Sequence, residues 1–141
     1  MDIRPLDDRA SAAPQIAPGD MPALKADGYG LVVNNRPDGE EQGQPSSAEM
    51  ERAAADAGLA YAYIPVGRDG LTDHPQRLRE AMDASDGKAL LFCRSGTRST
   101  TLWALAEAGR GRSADELVSA AAAAGYDLGA YRATLDGLAK A

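Results

Sequence analysis

Three short apolar runs punctuate a chain that is otherwise polar or alanine-rich. They are Tyr29-Gly30-Leu31-Val32-Val33, Leu59-Ala60-Tyr61-Ala62-Tyr63-Ile64 closed by Pro65, and Ala89-Leu90-Leu91-Phe92 closed by Cys93. Each is continuous rather than alternating, the pattern of a strand covered on both faces. The stretches around them carry helix punctuation. Pro18 to Asp27 ends at Gly28. Ser46 or Ser47, followed by Glu49, opens a helix that stops at Gly58, and Asp73 or His74 with Pro75 opens one running through Met82. Thr100 to Glu107, Ser113 to Ala124 and roughly Leu128 to Lys140 complete the helices, and Ser113-Ala114-Asp115-Glu116 reads as a capping box. Strand, helix, strand, helix predicts an α/β domain of three layers, α/β/α, around a small, mainly parallel sheet. Ile3 and Leu6 fit only an edge strand or hairpin. Asn34 to Pro45 is the longest predicted loop and follows a strand, which places it at the functional edge of the sheet.

Composition narrows the function classes. The 141 residues suit one domain, 1–141, and 29 alanines explain the helical lean. Fifteen basic against 21 acidic residues give a net charge of −6, which argues against a nucleic-acid binder or an anionic-membrane binder. No apolar run approaches the ~18 residues of a membrane helix, and the opening residues do not begin a secretory signal. One cysteine, Cys93, and one histidine, His74, exclude a disulfide framework and a closed Cys/His zinc site. The expected compartment is therefore the cytoplasm, with no cofactor and no metal. Oligomeric state leaves no signal in the sequence.

Chemistry concentrates in Leu90-Leu91-Phe92-Cys93-Arg94-Ser95-Gly96-Thr97-Arg98-Ser99-Thr100. An apolar strand runs into the sole cysteine, then a loop of small and cationic residues, then a helix. Unpaired N–H groups at the helix start, with Gly96 permitting a tight turn, form an anion cradle. The same N–H groups and arginines favour thiolate over thiol at Cys93, and Ser99 or Thr100 is placed to donate a hydroxyl to the sulfur. Arg98 is expected to return over the cradle and offer a planar fork to an oxyanion. Trp103, one turn into the helix, reads as core, and His74 as a solvated helix-start residue.

Asn34-Asn35-Arg36-Pro37-Asp38-Gly39-Glu40-Glu41, Gln44-Pro45-Ser46, Tyr63-Ile64-Pro65-Val66, Cys93 to Ser99 and Ala124-Gly125-Tyr126-Asp127-Leu128 together resemble one family over nearly the whole chain. It is the phosphatase-like domain family of β-lactamase-hydrolase-like proteins. The resemblance implies the fold of cysteine-dependent dual-specificity phosphatases; members are also labelled sulfurtransferases. The expected reaction is hydrolysis of a phosphate ester on a phosphorylated small molecule or phosphoprotein, through a cysteinyl-phosphate on Cys93. Arg98 would hold the phosphoryl oxygens. Arg94, Ser95, Gly96, Thr97 and Ser99 would line the cradle, with Arg36 and Asp38 from the long loop. Phosphatases of this fold place an aspartate acid on a loop before the cysteine strand. Asp69 is the first choice, with Asp73 and Asp38 behind it and Glu40 or Glu41 next. Arg36 is equally placed to pair with Glu40 or Glu41.

Two features depart from the familiar phosphatase loop. Phe92 rather than histidine precedes Cys93, and four residues rather than five separate Cys93 from Arg98. The shorter loop resembles the rhodanese pattern, so a sulfurtransferase carrying a Cys93 persulfide is the alternative. A non-catalytic anion or phosphoprotein binder is the second alternative.

Overall fold

A computed structural model describes residues 1–67 and 73–141. Five strands, β1 (Arg4–Pro5), β2 (Ala10–Ala13), β3 (Tyr29–Asn34), β4 (Ala60–Tyr63) and β5 (Lys88–Phe92), form one sheet in the order β1-β2-β5-β3-β4. Only β1 runs antiparallel to its neighbour; the other three pairings are parallel. The helices are α1 (Met21–Ala26, entered through a 3₁₀ turn at Pro18–Asp20), α2 (Ser47–Asp56), α3 (His74–Asp83), α4 (Thr97–Ala108), α5 (Ala114–Ala123) and α6 (Arg132–Lys140).

The period of two along a strand sorts the side chains into two cores. Leu31, Val33, Ala89 and Leu91 point to the side covered by α3, α4, α5 and α6, while Val32, Leu90 and Phe92 point to the side covered by α1 and α2. The result is the expected three-layer α/β/α domain. α4 lies in the thick of the first core: every residue from Ser99 to Ala108 is buried, Trp103 completely. No helix among the described residues is long and apolar enough to cross a membrane.

Ile3 and Leu6 flank β1, the edge strand of a hairpin with β2, as expected. β2 itself, which no apolar run marks, is an interior strand held between β1 and β5. Its Ala-Ser-Ala-Ala sequence has no strand propensity, but small residues fit where both faces are covered, and Ser11 accepts a hydrogen bond from the Tyr29 hydroxyl at 2.8 Å. Two expectations need correction. α4 begins at Thr97, three residues before the expected Thr100. At α5 the Ser113 hydroxyl accepts from Glu116 N at 3.2 Å, but the return half of the capping box is missing because the Glu116 carboxylate accepts from Arg112 instead. The complete box stands at α2, between Ser46 and Glu49.

Candidate active site

The carboxyl ends of three parallel strands meet where Ala13, Phe92 and Asn34 align across the sheet. Cys93 follows Phe92 directly and is fully buried. The chain turns back at Gly96, whose φ of +93° few side chains tolerate, and enters α4. In that turn the Gly96 N–H donates to Cys93 Sγ at 3.1 Å. The Ser95 hydroxyl donates to Thr97 Oγ1 at 3.1 Å and bridges the outer side of the turn. Neither hydroxyl expected at the sulfur is there. Ser99 donates to Asn35 Oδ1 at 2.8 Å, and Thr100 donates to the Gly96 carbonyl at 2.8 Å, the back-bond to residue i−4 that threonine makes inside helices. Asn35 completes the Ser99 connection by donating to the Ile64 carbonyl at 2.9 Å, which ties α4 to the ends of β3 and β4.

Because α4 starts early, Arg98 rises from its first turn rather than from the loop. Its guanidinium forms a two-point pair with Glu40, Nη1 to Oε2 at 2.7 Å and Nη2 to Oε1 at 2.9 Å, and Nη1 also donates to the Val66 carbonyl at 2.9 Å. Glu40 Oε1 accepts in addition from Arg36 Nε at 3.0 Å. Arg36 is buried, its side chain 3% exposed, and its other two nitrogens donate to Gln15 Oε1 and Glu41 Oε2. Hydrogen bonding from Arg98, then from Arg36, outweighs burial and pulls the Glu40 carboxyl down from 4.5 to about 2. Glu40 is thus an anion at neutral pH, a clamp for two arginines and not a proton donor. The hydrogen bond to Glu40 is the chief cause that holds Arg98 above its usual value, against burial, and Cys93 adds to it.

The remaining expected residues divide. Arg94 is exposed, and it lines a cleft of about 440 Å³ with Gln15, Arg36, Glu41 and Gln44. Asp38 accepts from Ser47 N at 2.7 Å with its carboxylate, at the start of α2, and its own N–H donates to the Tyr63 hydroxyl. Arg36 donates from each of its three nitrogens to a protein acceptor and so braces the loop. Asp73 is 68% exposed and its side chain makes no capping bond to α3. Asp69 lies outside the described residues. His74 is not solvated as expected: its side chain is mostly buried and Nε2 pairs with the Pro65 carbonyl at 2.9 Å. Two residues that touch the site carry no signal in the local motif. Glu40 reads in the sequence as a partner of Arg36 or an alternative acid, and Tyr126, whose hydroxyl donates to the Ser95 carbonyl at 3.1 Å, is 31 residues away in sequence.

Comparison with known proteins agrees with this geometry. The family model for the phosphatase-like domain of β-lactamase hydrolase-like proteins matches residues 2–110. A β-lactamase hydrolase-like protein of Agrobacterium fabrum is 38% identical over 108 residues, 76% of this chain and 25% of that one. A namesake from Xylella fastidiosa is 41% identical over 104 residues, 72% of this chain and 24% of the other. The chain therefore spans about a quarter of the length of these relatives. Among solved structures, a candidate phosphatase from Neisseria meningitidis superposes with a TM-score of 0.83 at 31% identity, covering 98% of this chain and 99% of that one. P. aeruginosa TpbA shares the fold, with a TM-score of 0.67 at 15% identity, covering 99% of this chain and 89% of its own. With a strand-to-helix turn wrapped around a buried thiol and a family match over most of its length, the chain belongs to the phosphatase-like domain family of β-lactamase hydrolase-like proteins.

Proposed function

We propose that the protein is a cysteine-dependent hydrolase of phosphate monoesters. The observation that carries this reading is the pairing of Cys93 Sγ with the Gly96 N–H at the start of α4, within reach of a clamped arginine. Thiolate at Cys93 attacks phosphorus, the P–O bond to the leaving group breaks, and a cysteinyl-phosphate forms. Water then attacks phosphorus, the S–P bond breaks, and inorganic phosphate leaves with the thiolate restored. Of the five guanidinium hydrogens of Arg98, three are used by Glu40 and Val66. The edge made by Nε and the second Nη2 hydrogen has no oxygen acceptor among the described residues, the further partner of the guanidinium being Cys93, and it is the fork for two phosphoryl oxygens. The leaving oxygen needs a proton. Glu40 cannot supply it and Asp38 is occupied at α2, which leaves Asp69, three residues beyond Val66 in sequence, as the proposed acid and subsequent base.

The four-residue spacing between Cys93 and Arg98 favours a second reading, sulfur transfer through a Cys93 persulfide, and one paired assay decides between them. Wild type releases phosphate from an aryl phosphate and forms little thiocyanate from thiosulfate and cyanide. Cys93→Ser loses the phosphatase activity by on the order of 10³-fold or more. Asp69→Asn slows an alkyl phosphate far more than an activated aryl phosphate, because only the former needs its leaving group protonated. Ready thiocyanate formation without ester hydrolysis would reverse the assignment.

A further inference from the structure

We propose that Tyr126 is a positioning residue of the cradle, which fixes the Ser95–Gly96 peptide so that its N–H faces Cys93. The inference deepens the cysteine-hydrolase reading and rests on it.

The two ends of one peptide unit carry the argument. The Ser95 carbonyl accepts from the Tyr126 hydroxyl at 3.1 Å, and the Gly96 N–H donates to Cys93 Sγ at 3.1 Å. In a planar trans peptide the C=O and N–H point in opposite directions, so holding one end aims the other. Glycine at this point makes such a hold necessary. With φ of +93° and no Cβ, the unit on its N-terminal side is free to rotate at small cost, and a flip would turn the carbonyl lone pairs toward the sulfur. A carbonyl there would repel a thiolate and a phosphoryl group alike. Any Cβ at Gly96 would overlap the Tyr126 hydroxyl and ring, so the tyrosine fills the space that the glycine leaves.

The position of Tyr126 is itself over-determined. α5 stops in a Schellman turn: Gly125, at φ +96°, donates to the Ala122 carbonyl at 3.0 Å, and Tyr126 N donates to the Ala121 carbonyl at 2.8 Å. That turn sends the Tyr126 side chain into the core beneath the cradle, where it is 6% exposed, and the Arg4 guanidinium sits 5.2 Å from its ring centre. Burial, opposed by the pull of Arg4, pushes the Tyr126 phenol above its ordinary value, so its hydroxyl keeps the proton it donates. Tyr126 also lies beyond residues 2–110, the span matched by the family model, so part of the cradle comes from outside that span.

The test is Tyr126→Phe, which keeps the ring and deletes the donor. The chain has one cysteine, so the pH dependence of thiol alkylation by iodoacetamide reports Cys93 in wild type and variant. The variant's midpoint should lie about one pH unit above that of wild type, as expected when a hydrogen bond to a charged group is weakened. The acid limb of kcat/KM for an aryl phosphate should move with it, and kcat should fall about tenfold. An unchanged midpoint with a lower Tm would reduce Tyr126 to a structural role and overturn the proposal while leaving the nucleophile intact. A wild-type midpoint at or above that of free cysteine, about 8.5, would instead overturn the nucleophile reading itself, and the positioning role with it.

Discussion

Two helices of this molecule start near the carboxyl edge of the sheet, one on each face, and they are finished in opposite ways. α2 is closed. The Ser46 hydroxyl accepts from Glu49 N, the Glu49 carboxylate returns to Ser46 N, and the Asp38 carboxylate takes Ser47 N. α4 is open. Gly96 stands at its cap position with no side chain to offer, its own N–H is turned to a sulfur, and Ser95 Oγ accepts from Thr97 N only at a long 3.4 Å. A helix start with its N–H groups covered is a structural joint, and one left uncovered is a place for an anion. The negative charge that the open start lacks is supplied from a distance by Glu40. It binds Arg98 through Nη1 and Nη2, which on the proposed reading leaves the mouth of the turn to the phosphate ester.

The open start should be the more damaging one to disturb. Arg98→Lys keeps the charge but loses the planar fork and the two-point grip of Glu40. kcat/KM for an aryl phosphate should fall about 10²-fold, and vanadate should protect Cys93 from alkylation less well than in wild type. Equal protection would mean that Arg98 does not face the bound anion. Glu40→Gln leaves Arg98 in place with a weaker partner, and a loss of about tenfold is expected, mostly in kcat. Its second signature is in pH. The Glu40 carboxyl is lowered in the folded state, so its contribution to stability is complete above about 4.5 and disappears as pH falls toward about 2. Tm measured from pH 5 down to 2 should therefore fall less steeply in the variant than in wild type. Ser46→Ala opens the closed start. It should cost about 1 kcal/mol, seen as a Tm lower by about 3–5 °C, with turnover within twofold of wild type. A larger effect on turnover from Ser46→Ala than from Glu40→Gln would erase the distinction between the two helices.

What could be read from the sequence was whatever is contiguous. β3, β4 and β5 announce themselves by unbroken apolar runs, and Cys93 to Arg98 are consecutive, so strand, candidate nucleophile and helix start appear together in one string of letters. β2 was not legible because Ala10 to Ala13 form a strand only by filling the gap beside β5; nothing local requires it. The start of α4 was placed late because Thr97 and Thr100 have modest helix propensity, and burial of the whole helix overrides that. Glu40 reads as one more acid in a polar turn until folding brings it across 58 residues to Arg98. Gly125 signalled where α5 ends, but which way the next side chain would point depended on packing.

The sheet order has a consequence for how the site comes apart. β5 is flanked on both sides by parallel neighbours, so the amides leading to Cys93 belong to the part of the molecule that opens only with the whole. Glu40 sits on a surface loop that includes two glycines at positive φ, Gly39 and Gly43, and loops of that kind exchange their amides through small local openings. Cys93 and its clamp are thus expected at opposite ends of the local-stability range. Under rising denaturant the guanidinium should be released while the thiol is still seated at the end of its strand, and the proposed turnover should disappear at a lower concentration than the fold does.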